Sequence, residues 1–306
     1  FAAGSSVNVS TTGTGAIDLD GLGALTLSDV DTVNGAITAS SAGALTVTDV
    51  ASGTNGNIVL STSSGDITGL ATVNAGSGNV TLNSAGAIVD DGSSGTVITG
   101  GVLTADAAGG ITIDSTVTSA NISTSAAGAV DLDETDAITL TDVDTNDGSI
   151  TVDAGGLITA TDVVASGGSG DSVTLSTTTG GAVATLVTGA DAVSITANAG
   201  DITIGSVTAT AGTLGVTATA GSINDAADDN TADFTAGGLI TLTAQDEIGV
   251  LGSGSDLDLE FAAGSSVNVS TTGTGAIDLD GLGALTLSDV DTVNGAITAS
   301  SAGALT

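Results

Sequence analysis

The residues Gly23–Val50 read GALTLSDVDTVNGAITASSAGALTVTDV and carry the pattern on which the fold depends. Apolar residues alternate with Thr or Ser for a few positions, and Gly, Asn and Asp interrupt each run. Alternation of this kind, rich in Val, Ile and Thr and bounded by turn residues, predicts β-strands. No segment has the 3.6-residue period of a helix. The sequence therefore predicts an all-β protein with no helices.

The strand pattern returns along the whole chain about every 20 to 23 residues. Each period holds two strands, such as those at Leu25 and Ile37, and a shorter apolar segment at Val30. If each coil lies on the previous one, Leu25 meets Leu45 and Ile37 meets Ile58. The inside then becomes a continuous aliphatic column, because every coil covers the apolar side chains of its neighbour. This predicts a parallel β-helix, also called a β-solenoid.

A longer repeat is superimposed on the coils. Residues 261–306 copy the start of the chain without a mismatch, so we predict that 1–260 is one full tandem repeat and that 261–306 begins the next. Within it, 15–127 and 128–274 are related sub-repeats, the second with one extra coil. The alternation continues through Asp256–Ser270 with no linker, which predicts one continuous solenoid in a slice of a longer chain.

The composition excludes most functions. The chain has no Lys, Arg, His or Cys and a net charge of −35, so we expect no binding of nucleic acid, which requires clustered basic residues. Polar residues interrupt every apolar run, so no membrane insertion is expected. Serine has no His or Lys to activate it, and zinc has no His or Cys ligands. We therefore expect no enzyme activity and no small-molecule substrate.

Disorder is not the expectation for this acidic chain, because 41% of its residues are hydrophobic and its mean hydropathy is +0.47. Disordered chains are poor in apolar and β-branched residues. Proline is absent, which fits a structure in which each strand amide is needed for pairing with the next coil. The sequence can therefore bury a core.

The GxITLT strands, the Asp, Asn and Gly corners and the coils of about 20 residues resemble the repeats of very large secreted bacterial surface proteins of the filamentous haemagglutinin type. That resemblance implies a parallel, right-handed β-helix located outside the cell or on the bacterial cell surface. It differs from calcium-binding nonapeptide repeats, because GGSGDSV at Gly167–Val173 has its Asp one position early.

The leading hypothesis for function is structural, namely the shaft of an extracellular filament, stalk or matrix fibre. An alternative is the shaft of a cell-surface adhesin. A remote alternative is an ice-binding solenoid, because outward T-x-T and T-x-S pairs such as Thr46 and Thr48 recur along the strands. The expected partner is the protein itself, through end-to-end continuation by further repeats and lateral bundling into fibres, because open strand edges favour further pairing.

Several aspartates are candidate ligands of calcium or another divalent cation. Six of them flank the short apolar segments, so carboxylates of neighbouring coils should stack, and a hard cation would relieve their repulsion. Asp147 belongs to the stretch DVDTNDG at Asp142–Gly148, which resembles an oxygen-rich calcium loop although its Gly falls one position late. The alternative is that they are turn residues facing water, in which case no cofactor is needed. The candidates are Asp29, Asp31, Asp49, Asp142, Asp144, Asp147 and Asp162.

Overall fold

The computed structural model describes residues 1–93, 95, 97–227, 229, 231–250, 256–262 and 265–306. The chain divides into two compact units, Phe1–Val152 and Asp153–Thr306. Each unit is a parallel β-solenoid, with about 14 coils counted over both and no helix among these residues. The predicted all-β, parallel β-helical fold class is therefore confirmed.

The strands of the first unit are β1 (Ser5–Ser10), β2 (Ile17–Gly21), β3 (Leu25–Asp31), β4 (Ile37–Ser41), β5 (Leu45–Val47), β6 (Val50–Ala51), β7 (Ile58–Thr62), β8 (Ile67–Leu70), β9 (Val73–Asn74), β10 (Val80–Ser84), β11 (Ile88–Asp90), β12 (Ile98–Ala107), β13 (Ile111–Ala127), β14 (Val130–Glu134) and β15 (Ile138–Asp147). Strand β16 (Ile150–Ala154) includes the boundary between the units.

The strands of the second unit are β17 (Ile158–Ala160), β18 (Val163–Ala165), β19 (Val173–Thr177), β20 (Ala182–Ala184), β21 (Val187–Gly189), β22 (Val193–Ala197), β23 (Ile202–Ile204), β24 (Val207–Ala209), β25 (Leu214–Ala218), β26 (Ile223–Asp225), β27 (Phe234–Ala236), β28 (Ile240–Ala244), β29 (Leu257–Phe261), β30 (Val267–Thr271), β31 (Ile277–Gly281), β32 (Leu287–Thr292) and β33 (Ile297–Ser301).

Successive coils of the first unit stack in register. Leu25 pairs with Leu45 and Leu45 with Ile67, while Ile37 pairs with Ile58. All five side chains are almost completely buried. Like therefore stacks on like, and each buried aliphatic side chain contributes about 1.5 to 3 kcal/mol relative to exposure. The predicted aliphatic column is confirmed.

The short apolar segments stack in register, as predicted, at the end of β3 for Val30 and as the separate strands β6 and β9 for Val50 and Val73. Val30 pairs with Val50 and Val50 with Val73, and all three side chains are fully buried. The outward residues that flank them are therefore brought to one edge of the solenoid, which positions the candidate aspartates.

Hydroxyl groups close many of the corners between strands. Thr32 Oγ1 donates a hydrogen bond to the carbonyl of Gly35 at 2.6 Å, and the Gly35 amide donates back to the same hydroxyl at 3.0 Å. Thr271 and Gly275 form the same contact at 3.0 Å in the second unit. Thr is therefore used both as a strand former and as the residue that satisfies the backbone at the turn.

Close contact between coils requires glycine at some corners. Gly53 has φ +74°, and a Cβ there would lie 1.8 Å from the carbonyl oxygen of Val33 in the preceding coil. No side chain fits this space, and only glycine adopts the conformation without strain.

Coil length varies more widely than the predicted 20 to 23 residues. Leu103 pairs with Ala120, 17 residues further along, because β13 turns the corners as one uninterrupted strand. Ile240 pairs with Val267, 27 residues further along, with a long connection between β28 and β30. The aliphatic column tolerates both lengths, because only the strands have to stay in register.

Candidate cation sites

Three of the predicted aspartates meet in the first unit. Asp29 and Asp31 flank Val30, and Asp49 precedes Val50 in the next coil. Burial raises the pKa of Asp31 above its usual value, and the Asp29 carboxylate and then that of Asp49 raise it further. Burial raises the pKa of Asp49 as well, followed by the charge of Asp29. The stacking of these carboxylates is as the sequence predicted.

The other candidates of the first unit have different neighbours. Asp142 Oδ2 accepts a hydrogen bond from the side-chain amide of Asn121 at 3.5 Å, and Asp144 pairs in register with Ser123. Asp147 is exposed at the end of β15. Asp142 and Asp144 of β15 therefore lie opposite an amide and a hydroxyl side chain of β13 and not opposite another carboxylate.

Asp162 lies in the second unit, next to the buried Val163. Its Oδ1 atom is buried and accepts no hydrogen bond from the residues that the structure describes. No calcium ligand set of three carboxylates forms around any of the seven predicted aspartates within the described ranges. Cation binding at these seven residues stays a prediction.

A cluster that the sequence analysis did not identify lies in the second unit. One carboxylate oxygen from each of Asp256, Asp258 and Asp280 lies within 4.8 Å of the other two. Asp258 pairs directly with Asp280 because β29 and β31 are adjacent parallel strands, and Leu257 pairs with Leu279 beside them. Oxygen ligands of this type and spacing suit a hard divalent cation.

Further carboxylates surround this cluster. Asp233 Oδ2 accepts a hydrogen bond from the backbone amide of Asp258 at 2.9 Å, and both residues are 3% exposed. Burial raises the pKa of Asp258 to about 6, and the charges of Asp256 and Asp280 add to the effect. Burial raises the pKa of Asp233 to about 8, although the hydrogen bond from Asp258 opposes the shift.

The sequence does contain a signal for this cluster. The motif D-L-D occurs at Asp256–Asp258 and again at Asp278–Asp280, one coil later. Residues at equal positions of neighbouring coils stack, so two such motifs place outward carboxylates side by side. None of the seven aspartates predicted as ligands belongs to this cluster.

A groove along the first unit is lined by polar residues, among them Asp20, Ser40 and Ser61. Ser40 pairs in register with both of the others, and its hydroxyl donates to Asp20 Oδ1. Hydroxyls and carboxylates of this kind are hydrogen-bonding groups. Because the chain has no His or Lys, the groove offers no basic side chain to activate a serine.

The outward threonines form short ladders. Thr26 pairs with Thr46, and Thr46 pairs with Thr68. Binding of ice by such ladders stays a prediction, which measurement of thermal hysteresis tests directly.

No protein family, curated protein or solved structure matches this chain. Within the described ranges there is also no helix of the length and apolarity needed to cross a membrane. The parallel β-solenoid rests on the strand pairing itself, whereas the likeness to filamentous haemagglutinin repeats stays a proposal.

Proposed function

We propose that this chain is a structural repeat protein that forms the shaft of an extracellular filament, stalk or matrix fibre. The observation that carries the proposal is the in-register stacking of like residues, such as Ile37 on Ile58 and Val50 on Val73. Such a fold gains length by adding coils, while each coil needs only its neighbours for its core. In this proposal the protein supplies length and stiffness, and the number of repeats sets the length of the shaft.

The composition supports a location outside the cell. Lys and Arg are absent, so trypsin-like proteases have no cleavage site, and the absence of Cys and Met leaves few groups to oxidise. The resemblance to filamentous haemagglutinin shafts agrees with this location, and right-handed coils are part of the proposal.

The partner in this proposal is a further coil of the same repeat. Ile297 and Leu305 are 48% and 49% exposed on β33 and the segment after it. The identical positions Ile37 and Leu45 are fully buried, because the coil of β7 and β8 covers them. The face at Ile297 and Leu305 therefore presents the same side chains that the next coil covers at Ile37 and Leu45.

Electron microscopy of concatenated repeats tests the structural function. Recombinant proteins with one, two and four copies of residues 1–260 should form unbranched rods of constant width, with a length proportional to copy number. Compact particles, or a length that does not grow with copy number, would refute the proposal. In native material, continuous fibres favour the filament, whereas single rods with a globular tip favour the adhesin shaft.

Analytical ultracentrifugation of the 306-residue chain tests the proposed self-association. Ile297→Asp should weaken end-to-end association, because it places a charge on the exposed apolar face. Leu157→Asp is the matched control, since Leu157 is 41% exposed but lies beside β17, which has a paired strand on each side. Equal association of both variants would contradict docking through the face at Ile297 and Leu305.

A further inference from the structure

The side chain of Asp258 is buried in the second unit. The residue is 3% exposed, and no described residue donates a hydrogen bond to its side chain. A buried charge without a hydrogen bond or counter-charge is costly, and proteins avoid it unless a ligand compensates. This side chain is directed towards Asp256 and Asp280, whose oxygens lie within 4.8 Å of its own.

Elsewhere the chain satisfies a buried carboxylate with hydrogen bonds. Glu134 is 4% exposed, and its Oε2 accepts from the Ser115 hydroxyl at 2.7 Å and from the Val117 amide at 3.0 Å. Its Oε1 accepts from the Asp136 amide at 3.1 Å. Three donors therefore stabilise one charge. Among the residues that the structure describes, Asp258 has no such donor and instead faces two further carboxylates.

No basic side chain of this protein can neutralise the cluster, because the sequence contains no Lys, Arg or His. The neutralising charge must therefore come from solution, as a proton or as a cation.

We propose that Asp256, Asp258 and Asp280 bind one divalent calcium ion. Calcium takes only oxygen ligands, at about 2.3 to 2.6 Å, so oxygens on opposite sides of the ion lie about 4.8 Å apart. The three carboxylates meet this limit and offer no nitrogen or sulfur atom that would select zinc or copper. The site goes beyond the proposed shaft function and does not depend on it.

The ion would join two neighbouring coils. Asp256 directly precedes β29, Asp258 is the second residue of that strand, and Asp280 lies on β31. Calcium at this place converts repulsion between paired positions of a parallel sheet into attraction. We therefore expect the ion to stabilise the second unit.

Calcium titration of the full chain tests the site. In metal-free buffer at physiological ionic strength, isothermal titration calorimetry with calcium chloride should show one saturable site, and calcium should raise the melting temperature. Asp258→Asn and Asp280→Asn should each weaken binding by about tenfold or more, since both remove a ligand. In the calcium-free state, Asp258→Asn should melt no lower than the wild type, because it removes an uncompensated charge.

Asp20→Asn is the matched control. Asp20 occupies the same repeat position as Asp280, and each accepts a hydrogen bond from a serine of the next coil, Ser40 or Ser300. The control removes the same charge but should keep the saturable site. If Asp280→Asn and Asp20→Asn bind calcium equally well, the ion is only part of the diffuse counterion layer and the assignment is overturned. If Asp258→Asn does not fold, the comparison of Asp280→Asn with Asp20→Asn still distinguishes a specific calcium site from diffuse counterion binding.

Discussion

Residues 1–46 and 261–306 have the same sequence but different environments. Ile37 and Leu45 are fully buried, whereas their copies Ile297 and Leu305 are 48% and 49% exposed. The coil of β7 and β8 covers the first pair, whereas the described residues leave the second pair half-exposed. The local sequence determines which side chains can be buried in this fold, and the neighbouring coil determines whether they are.

The difference is reversed at the other edge of the same segment. A Cβ on Gly15 would meet no atom within 4 Å, whereas a Cβ on Gly275 would lie 1.9 Å from the carbonyl oxygen of Asp246. Ile17 is 6% exposed, and its copy Ile277 is 0% exposed. Each copy is thus open on the side where the other is covered. Comparison of the two copies therefore shows how much burial a preceding coil provides and how much a following coil provides.

Regular strand structure also depends on the neighbours. Leu25 begins the seven-residue strand β3, which pairs with β1 on one side and with β5 and β6 on the other. Its copy Leu285 forms only an isolated bridge to Leu305. Strand formation in a solenoid is therefore a nearest-neighbour property, as expected when no coil closes a core alone.

The largest expected effect comes from shortening the same isoleucine in both copies. Ile37→Ala should lower the free energy of unfolding by about 2 to 5 kcal/mol, because it leaves a cavity in a closed core. Ile297→Ala should cost about 1 kcal/mol or less, because half of that side chain already contacts water. Urea denaturation followed by circular dichroism measures both values. Equal losses would mean that another molecule covers Ile297 in solution.

Adding a methyl group at the same glycine probes the opposite edge. Gly275→Ala should destabilise the protein by about 1 to 3 kcal/mol, because the new Cβ forces two coils apart. Gly15→Ala should be neutral or gain up to about 1 kcal/mol, because alanine restricts the unfolded chain and meets nothing in the folded one. Thermal melts of the two variants provide the measurement. A loss at Gly15 as large as that at Gly275 would contradict an open edge there.

The sequence was sufficient to predict the stacking of Leu25 on Leu45 and of Ile37 on Ile58. Alternation defines which residues face inward, and a nearly constant period of about 20 residues then leaves one register between neighbouring coils. Asp29, Asp31 and Asp49 were placed together for the same reason. These residues lie where coils have equal lengths, so counting along the chain gives the spatial neighbour.

The cluster of Asp256, Asp258 and Asp280 was not predicted, although its register follows the period. Asp258 pairs with Asp280 one coil later, so the repeated D-L-D motif gives the pair by counting. The burial of Asp258 could not be predicted in the same way. Asp258 is 3% exposed, whereas alternation predicts the position between the inward-facing Leu257 and Leu259 to face water.

The smallest expected effect concerns the charge of the same aspartate in both copies. Asp31 is half-buried beside Asp29 and Asp49, whereas its copy Asp291 is exposed. Because the folded-state pKa of Asp31 is raised above 3.8, its stabilising contribution is complete below that pH and is lost as pH rises through the folded-state pKa.

Asp31→Asn should therefore match the wild type in acid and exceed its stability at neutral pH by about 0.5 kcal/mol or less. Asp291→Asn removes the same charge from the protein, so it controls for the reduction in net charge and should give a smaller gain. Melting temperatures recorded from acid to neutral pH measure the difference. The same pH-dependent gain in both variants would show that overall repulsion, and not the stacked coil containing Asp49, sets the energy of Asp31.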